Sequence, residues 1–147
     1  MKAQNRILVE TACAIVKKTK SKGILIYADL VDDYESLSQI GREKQVELIL
    51  ALKDDVSFRE ASTVFKKVLK LPDIPLGRVN QIKMAVLQAL SKGLVRKGDK
   101  WVCLSGIPQS KALDNLLILE FGREFEIISS SDLPVLSDIV KPEVFDT

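Results

Sequence analysis

The chain is poor in residues that could do chemistry, and the most telling type is missing altogether. Its 147 residues include no histidine. The usual general base near neutral pH and the commonest metal ligand are therefore both absent. Histidine-dependent triads and histidine zinc sites are excluded, which leaves carboxylate, lysine or cysteine chemistry. No nucleophile with a neighbouring base and an orienting partner can be assembled from what remains, so the chain is read as no enzyme by itself.

The densest group of functional side chains is acidic. Asp29, Asp32 and Asp33 fall within five residues, followed by Glu35. Carboxylates in this number could hold a divalent cation such as Mg²⁺, Mn²⁺ or Ca²⁺. The spacing lacks the alternation of a calcium loop. Acids are also common at helix starts, where Asp32 or Asp33 would cap the following helix. Capping is the preferred reading, and no metal is expected. Cys13 and Cys103 stand 90 positions apart without a Cys-x-x-Cys spacing, and are read as two buried, reduced thiols. Lysines gather at 17, 18, 20 and 22 and again at 66, 67 and 70, as solvated ends of elements.

Composition narrows the class. Lys and Arg number 22 against 20 Asp and Glu, a net charge of +2. That balance lacks the basic excess of a nucleic-acid or membrane-surface binder, so neither partner is expected. No apolar run approaches the roughly 20 residues that span a bilayer, and the N-terminal stretch alternates polar and apolar residues unlike a signal peptide. A cytoplasmic protein is the default expectation.

The elements that must position these residues follow from periodicity. Leu8, Ala12, Ile15 and Val16 repeat at helical spacing, predicting a helix over 3–19. Residues 24–28 form a continuous apolar run suited to a strand buried on both faces. Tyr34, Leu37 and Ile40 mark a helix stopping near Gly41, and 46–52 a second strand. Ser57, with Glu60 three residues on, predicts a capping box for a short helix over 58–65. Val68, Leu69 and Leu71 form a weaker third strand. Val79, Ile82, Val86, Ala89 and Leu90 share one face of a helix over 78–92, with Gly93 as its C-terminal stop. Trp101 to Leu104 is a fourth strand, 116–121 a fifth closed by Gly122, and 125–128 could extend the sheet. The pattern predicts an α/β fold in three αβα layers around a mostly parallel five-stranded sheet, the last strand being open to antiparallel pairing. Residues 1–128 form that domain. From 129 to 147 three serines, Pro134 and Pro142 read as a linker or junction.

Residues 78–108, running through Gly93-Leu94-Val95, Gly98-Asp99 and Gly106-Ile107-Pro108, resemble the end of the pyruvate kinase C-terminal domain, and the first helix and strand resemble its opening. The resemblance covers about residues 3–122 and implies strand order 3-2-1-4-5. The order reverses between strands 1 and 4, where a crevice should open at their C-terminal ends. Its walls would be 29–35 and 105–110, making Asp29, Asp32, Asp33, Ser105, Gly106 and Ser110 the candidate ligand-binding residues. In regulated pyruvate kinases the loop after the first strand is rich in Ser and Thr and holds a sugar phosphate. Here that loop is acidic, so loss of sugar-phosphate binding is expected.

A narrower set resembles archaeal diadenylate cyclases: Gly98 to Pro108, Leu113-Asp114, Leu119 to Glu126, Asp132-Leu133-Pro134 and Val140 to Phe145. Those proteins join such a domain to a cyclase domain that makes cyclic di-AMP from ATP. The cyclase motifs Asp-Gly-Ala and Arg-His-Arg are absent here. The resemblance implies a non-catalytic N-terminal regulatory and oligomerisation domain, with the cyclase domain of the same protein as partner and homo-oligomer formation by analogy. The chain itself would carry no cofactor; ATP and a divalent metal would belong to the cyclase domain. The alternative is a stand-alone small-ligand sensor using the crevice.

Overall fold

The computed structural model describes residues 1–121. Helix α1 (Ala3–Thr19) leads into strand β1 (Gly23–Tyr27), followed by a 3-10 turn at Ala28–Leu30. Helix α2 (Tyr34–Lys44) precedes strand β2 (Glu47–Leu52), and helix α3 (Asp55–Ser62) precedes strand β3 (Val68–Lys70). Helix α4 (Arg78–Ser91), strand β4 (Lys100–Ser105), a 3-10 turn at Pro108–Ser110 and strand β5 (Asn115–Glu120) complete it. The sheet order is β3-β2-β1-β4-β5. β1 runs parallel to β2 and β4, β2 parallel to β3, and β5 antiparallel to β4.

Side-chain alternation divides the core into two. Ile24, Ile26, Leu48, Leu50, Leu52, Val102 and Leu104 face α1 and α2. Leu25, Tyr27, Ile49, Ala51, Trp101 and Cys103 face α4. Because successive strand residues point to opposite faces, a continuous apolar run is what a strand covered on both sides requires. All five residues of β1 are buried. The three-layer αβα reading therefore holds, and the last strand is the antiparallel one.

Local details differ from the sequence reading in four places. Gly41 does not stop α2, which runs to Lys44. A Cβ at Gly41 would lie 2.9 Å from the Leu48 side chain, so this glycine serves close packing. Helix α3 is capped by Asp54, not Ser57: the Asp54 carboxylate accepts the Ser57 amide at 2.9 Å. Ala28 turns out of β1 into the 3-10 segment. In α4, Val79 is 63% exposed while Gln81 to Val86 are all buried, so the helix is enclosed around more than one stripe. Gly93 and Gly98 take positive φ of 71° and 96°, as the turns placed there require. The possible sheet extension over 125–128, the closing Gly122 and the junction over 129–147 lie outside the described residues.

Candidate functional site

The C-terminal ends of the parallel strands carry the candidate residues. Directly after β1, Asp29 turns back towards the loop that follows β2. Its two carboxylate oxygens accept the backbone amides of Lys53, at 2.9 Å, and Asp54, at 3.2 Å. Burial first, then the charge and hydrogen bond of Asp29, push the Tyr27 phenol well above its ordinary range. Tyr27 is therefore a protonated hydrogen-bond donor throughout the physiological range.

Asp33 caps α2. Its carboxylate accepts the Ser36 amide at 3.0 Å and the Ser36 hydroxyl at 2.7 Å, and the Met1 ammonium lies 3.6 Å away. The Ser36 amide, the Ser36 hydroxyl and that ammonium hold the Asp33 carboxyl below the usual carboxylate range. Asp32 is exposed on the rim. The three aspartates are thus sent to different tasks. Among the described residues, no group of three carboxylates or thiols is gathered in a way that could hold a metal ion.

Across the switch point, the side chains after β4 are turned to internal work. Ser105 is fully buried and its hydroxyl accepts from the Asn115 amide at 3.2 Å. Gly106 packs against Leu30: a Cβ there would fall 2.7 Å from Leu30 Cδ1 and 2.6 Å from the Ala112 carbonyl. Ser110 Oγ sits 2.7 Å from an Asp114 carboxylate oxygen and 3.0 Å from the Ile107 carbonyl. The contact of Leu30 with Gly106 closes the direct gap between β1 and β4.

A groove of about 420 Å³ remains beside that contact, lined by Lys2, Tyr27, Asp29, Leu30, Val31, Asp32, Lys53 and Lys111. Asp29 and Asp32 of the sequence candidates line it; Asp33, Ser105, Gly106 and Ser110 do not. Lys2, Lys53 and Lys111 were not among the sequence candidates. Lys2 Nζ donates to the Lys111 carbonyl at 2.5 Å across 109 positions, a pairing with no local signature. Lys53 could have been found, because it directly follows the C-terminal end of a parallel strand.

The start of α1 fastens this region. Gln4 Nε2 donates to the Leu113 carbonyl at 2.8 Å, and Asn5 bridges the Leu30 carbonyl and the Leu113 amide. Asn5 is fully buried, so both loops flanking the switch point are tied to one side chain.

Both cysteines are buried and free. Burial raises each thiol, Cys103 to about 12, which suppresses the reactive thiolate. No helix among the described residues is long and apolar enough to cross a membrane.

Compared with known proteins, residues 4–127 match the family described as "Probable sensor domain DacZ_P". No curated protein matches the chain.

Proposed function

Because the chain belongs to the DacZ_P family of probable sensor domains, by a match over residues 4–127, we propose that it is the non-catalytic regulatory domain of a diadenylate cyclase. The partner is a catalytic domain in the same protein that makes cyclic di-AMP from ATP. ATP and the divalent metal of that reaction belong to the catalytic domain. The family match is the observation that carries this reading. The geometry supports a route for a signal: the groove-lining Lys2 and Lys111 adjoin the Asn5 clasp, and the clasp holds the connection that enters β5. β5 in turn leads along the chain towards residues 129–147, where the sequence resembles a junction into the cyclase. Self-association through this domain belongs to the same reading, and its readout is the mass of the chain in solution.

The decisive experiment is to read the native gene beyond Thr147 and assay its product. A continuation with Asp-Gly-Ala and Arg-His-Arg motifs, and cyclic di-AMP formation from ATP by the encoded protein, is expected. A stop codon at Thr147 overturns the accessory-domain reading. The groove at the strand ends favours the second reading in that event, a stand-alone sensor of a small ligand, for which a ligand-dependent rise in melting temperature is the measurement.

A further inference from the structure

Three lysines from distant parts of the sequence meet at the groove on the C-terminal side of the sheet. Lys2 precedes α1, Lys53 follows β2, and Lys111 belongs to the β4–β5 connection. Open α/β sheets bind ligands at this kind of place, outside the carboxyl ends of the strands where the order reverses. From these positions we infer that the groove binds a small phosphate-bearing anion. This inference deepens the sensor reading by naming the ligand's chemical class.

The acid-rich loop after β1 argues against an anion only while its charges face the groove freely. They do not. Both Asp29 oxygens accept backbone amides, and both Asp33 oxygens are turned to Ser36. Asp32 remains as the exposed acid on the rim. Asp29 keeps its charge, so three ammonium groups face two carboxylates, a surplus of one positive charge. Lys67 pairs with Glu47, and Lys70 with Asp55, away from this groove. Lys53 and Lys111 line the groove, while Lys2 is oriented by its bond to the Lys111 carbonyl. Leu30 and Val31 add an apolar wall for an organic body, and about 420 Å³ is within the size of small-molecule sites.

A second cation-lined hollow, at the opposite end of the sheet, has a different character. Lys22, Lys67 and Arg96 line it with Glu47 and Asp99. There Lys67 pairs with Glu47, and the Asp99 carboxylate accepts the Arg96 amide at 2.9 Å. It too sets three cations against two carboxylates, but one of its lysines is already ion-paired within it, which leaves fewer free donors for an anion. A nucleic-acid strand suits the first groove poorly, because the net charge is only +2 and, among the described residues, no row of exposed aromatics accompanies the lysines.

The test is calorimetric titration of the chain with inorganic pyrophosphate at constant ionic strength. Saturable binding at one site is expected. Lys53→Gln and Lys111→Gln should each weaken it about tenfold, as loss of one charge-assisted contact does. Asp32→Asn should tighten it by about two- to fivefold, through removal of one nearby like charge. That opposite direction separates a binding role from general damage to the fold. Absence of saturable binding overturns the inference, as does binding that ignores both lysine variants. Retention on anionic phospholipid vesicles or a single-stranded oligonucleotide, without pyrophosphate binding, overturns the small-ligand assignment. A cyclase domain encoded beyond Thr147 alongside failed pyrophosphate binding would sink this inference and leave the family reading intact. The reverse combination would leave the anion site and remove the cyclase.

Discussion

Asn5 and Leu113 are 108 positions apart in sequence and are joined by a buried hydrogen bond of 2.8 Å from the Leu113 amide to Asn5 Oδ1. The other end of the same amide donates to the Leu30 carbonyl at 2.9 Å. One side chain of α1 therefore satisfies backbone groups from the loops after β1 and β4. A buried backbone group without a partner is costly, so this clasp fixes how the two loops stand at the switch point.

Asn5→Ala should be among the most damaging single substitutions on α1. It leaves a buried donor and a buried acceptor unpaired, a loss of about 2–4 kcal/mol. For a domain of this size the melting temperature should fall by roughly 10 °C. Thermal unfolding followed by circular dichroism measures it. A loss within about 0.5 kcal/mol, the usual effect of a surface change, would mean that the clasp is not formed in solution.

The two aspartate caps predict a specific acid sensitivity. Hydrogen bonds from Ser36 to Asp33, and from Ser57 to Asp54, hold both carboxyls below the usual carboxylate range. A folded-state pKa below the unfolded one contributes stability that is present above about pH 4 and is lost as pH falls through the folded value. D33N and D54N keep an amide oxygen that can cap but does not titrate. The double variant should therefore show a flatter fall in melting temperature below about pH 4 than the parent chain. Parallel curves for the two proteins would show that these caps do not contribute to acid unfolding.

What could be read from sequence was what is local. The α2 cap depends on a residue three positions away, so the sequence narrowed it to Asp32 or Asp33, and Gly93, next to the helix that it ends, was legible outright. Asp54 and Ser57 are equally good caps three residues apart, so the pattern alone could not say that Ser57 donates to Asp54. Gly41 looked like a helix stop because a stop and a close-packing glycine leave the same letter in the sequence. The groove was half legible: Asp29 and Asp32 fall beside a predicted strand end, whereas the meeting of Lys2 with Lys111 is created only by the sheet order. The alternating core faces explain why the architecture was readable while that meeting was not. Periodicity reports burial along one element, and says nothing of which distant loops share an edge.

The thiols offer a test of burial that needs no variant. Cys103 is held near 12 by burial and Cys13 is raised by the same cause. At about pH 8 the thiolate fraction of Cys103 is on the order of one in ten thousand, so a disulfide reagent should react with neither thiol of the native chain at an appreciable rate. Both should react promptly in guanidinium. A fast native reaction at one thiol would show that α1 or β4 opens readily, because these elements carry Cys13 and Cys103 respectively.

Gly106 is the last position with a sharp expectation. A Cβ there would meet the Ala112 carbonyl at 2.6 Å and Leu30 Cδ1 at 2.7 Å. The leucine tip can rotate away, but the carbonyl belongs to backbone that is fastened next door by Asn5 at Leu113. Gly106→Ala should therefore destabilise the domain by about 1–3 kcal/mol, the usual range for overpacking a close contact. Leu30→Ala in the same chain removes one of the two clashes. The double variant should then be more stable than the sum of the single losses predicts, with a coupling of about 0.5–1 kcal/mol. Full additivity would mean that the strain falls on Ala112 alone. Complete rescue would mean that the backbone yields, and that the loop after β4 is softer than its bonds to α1 imply.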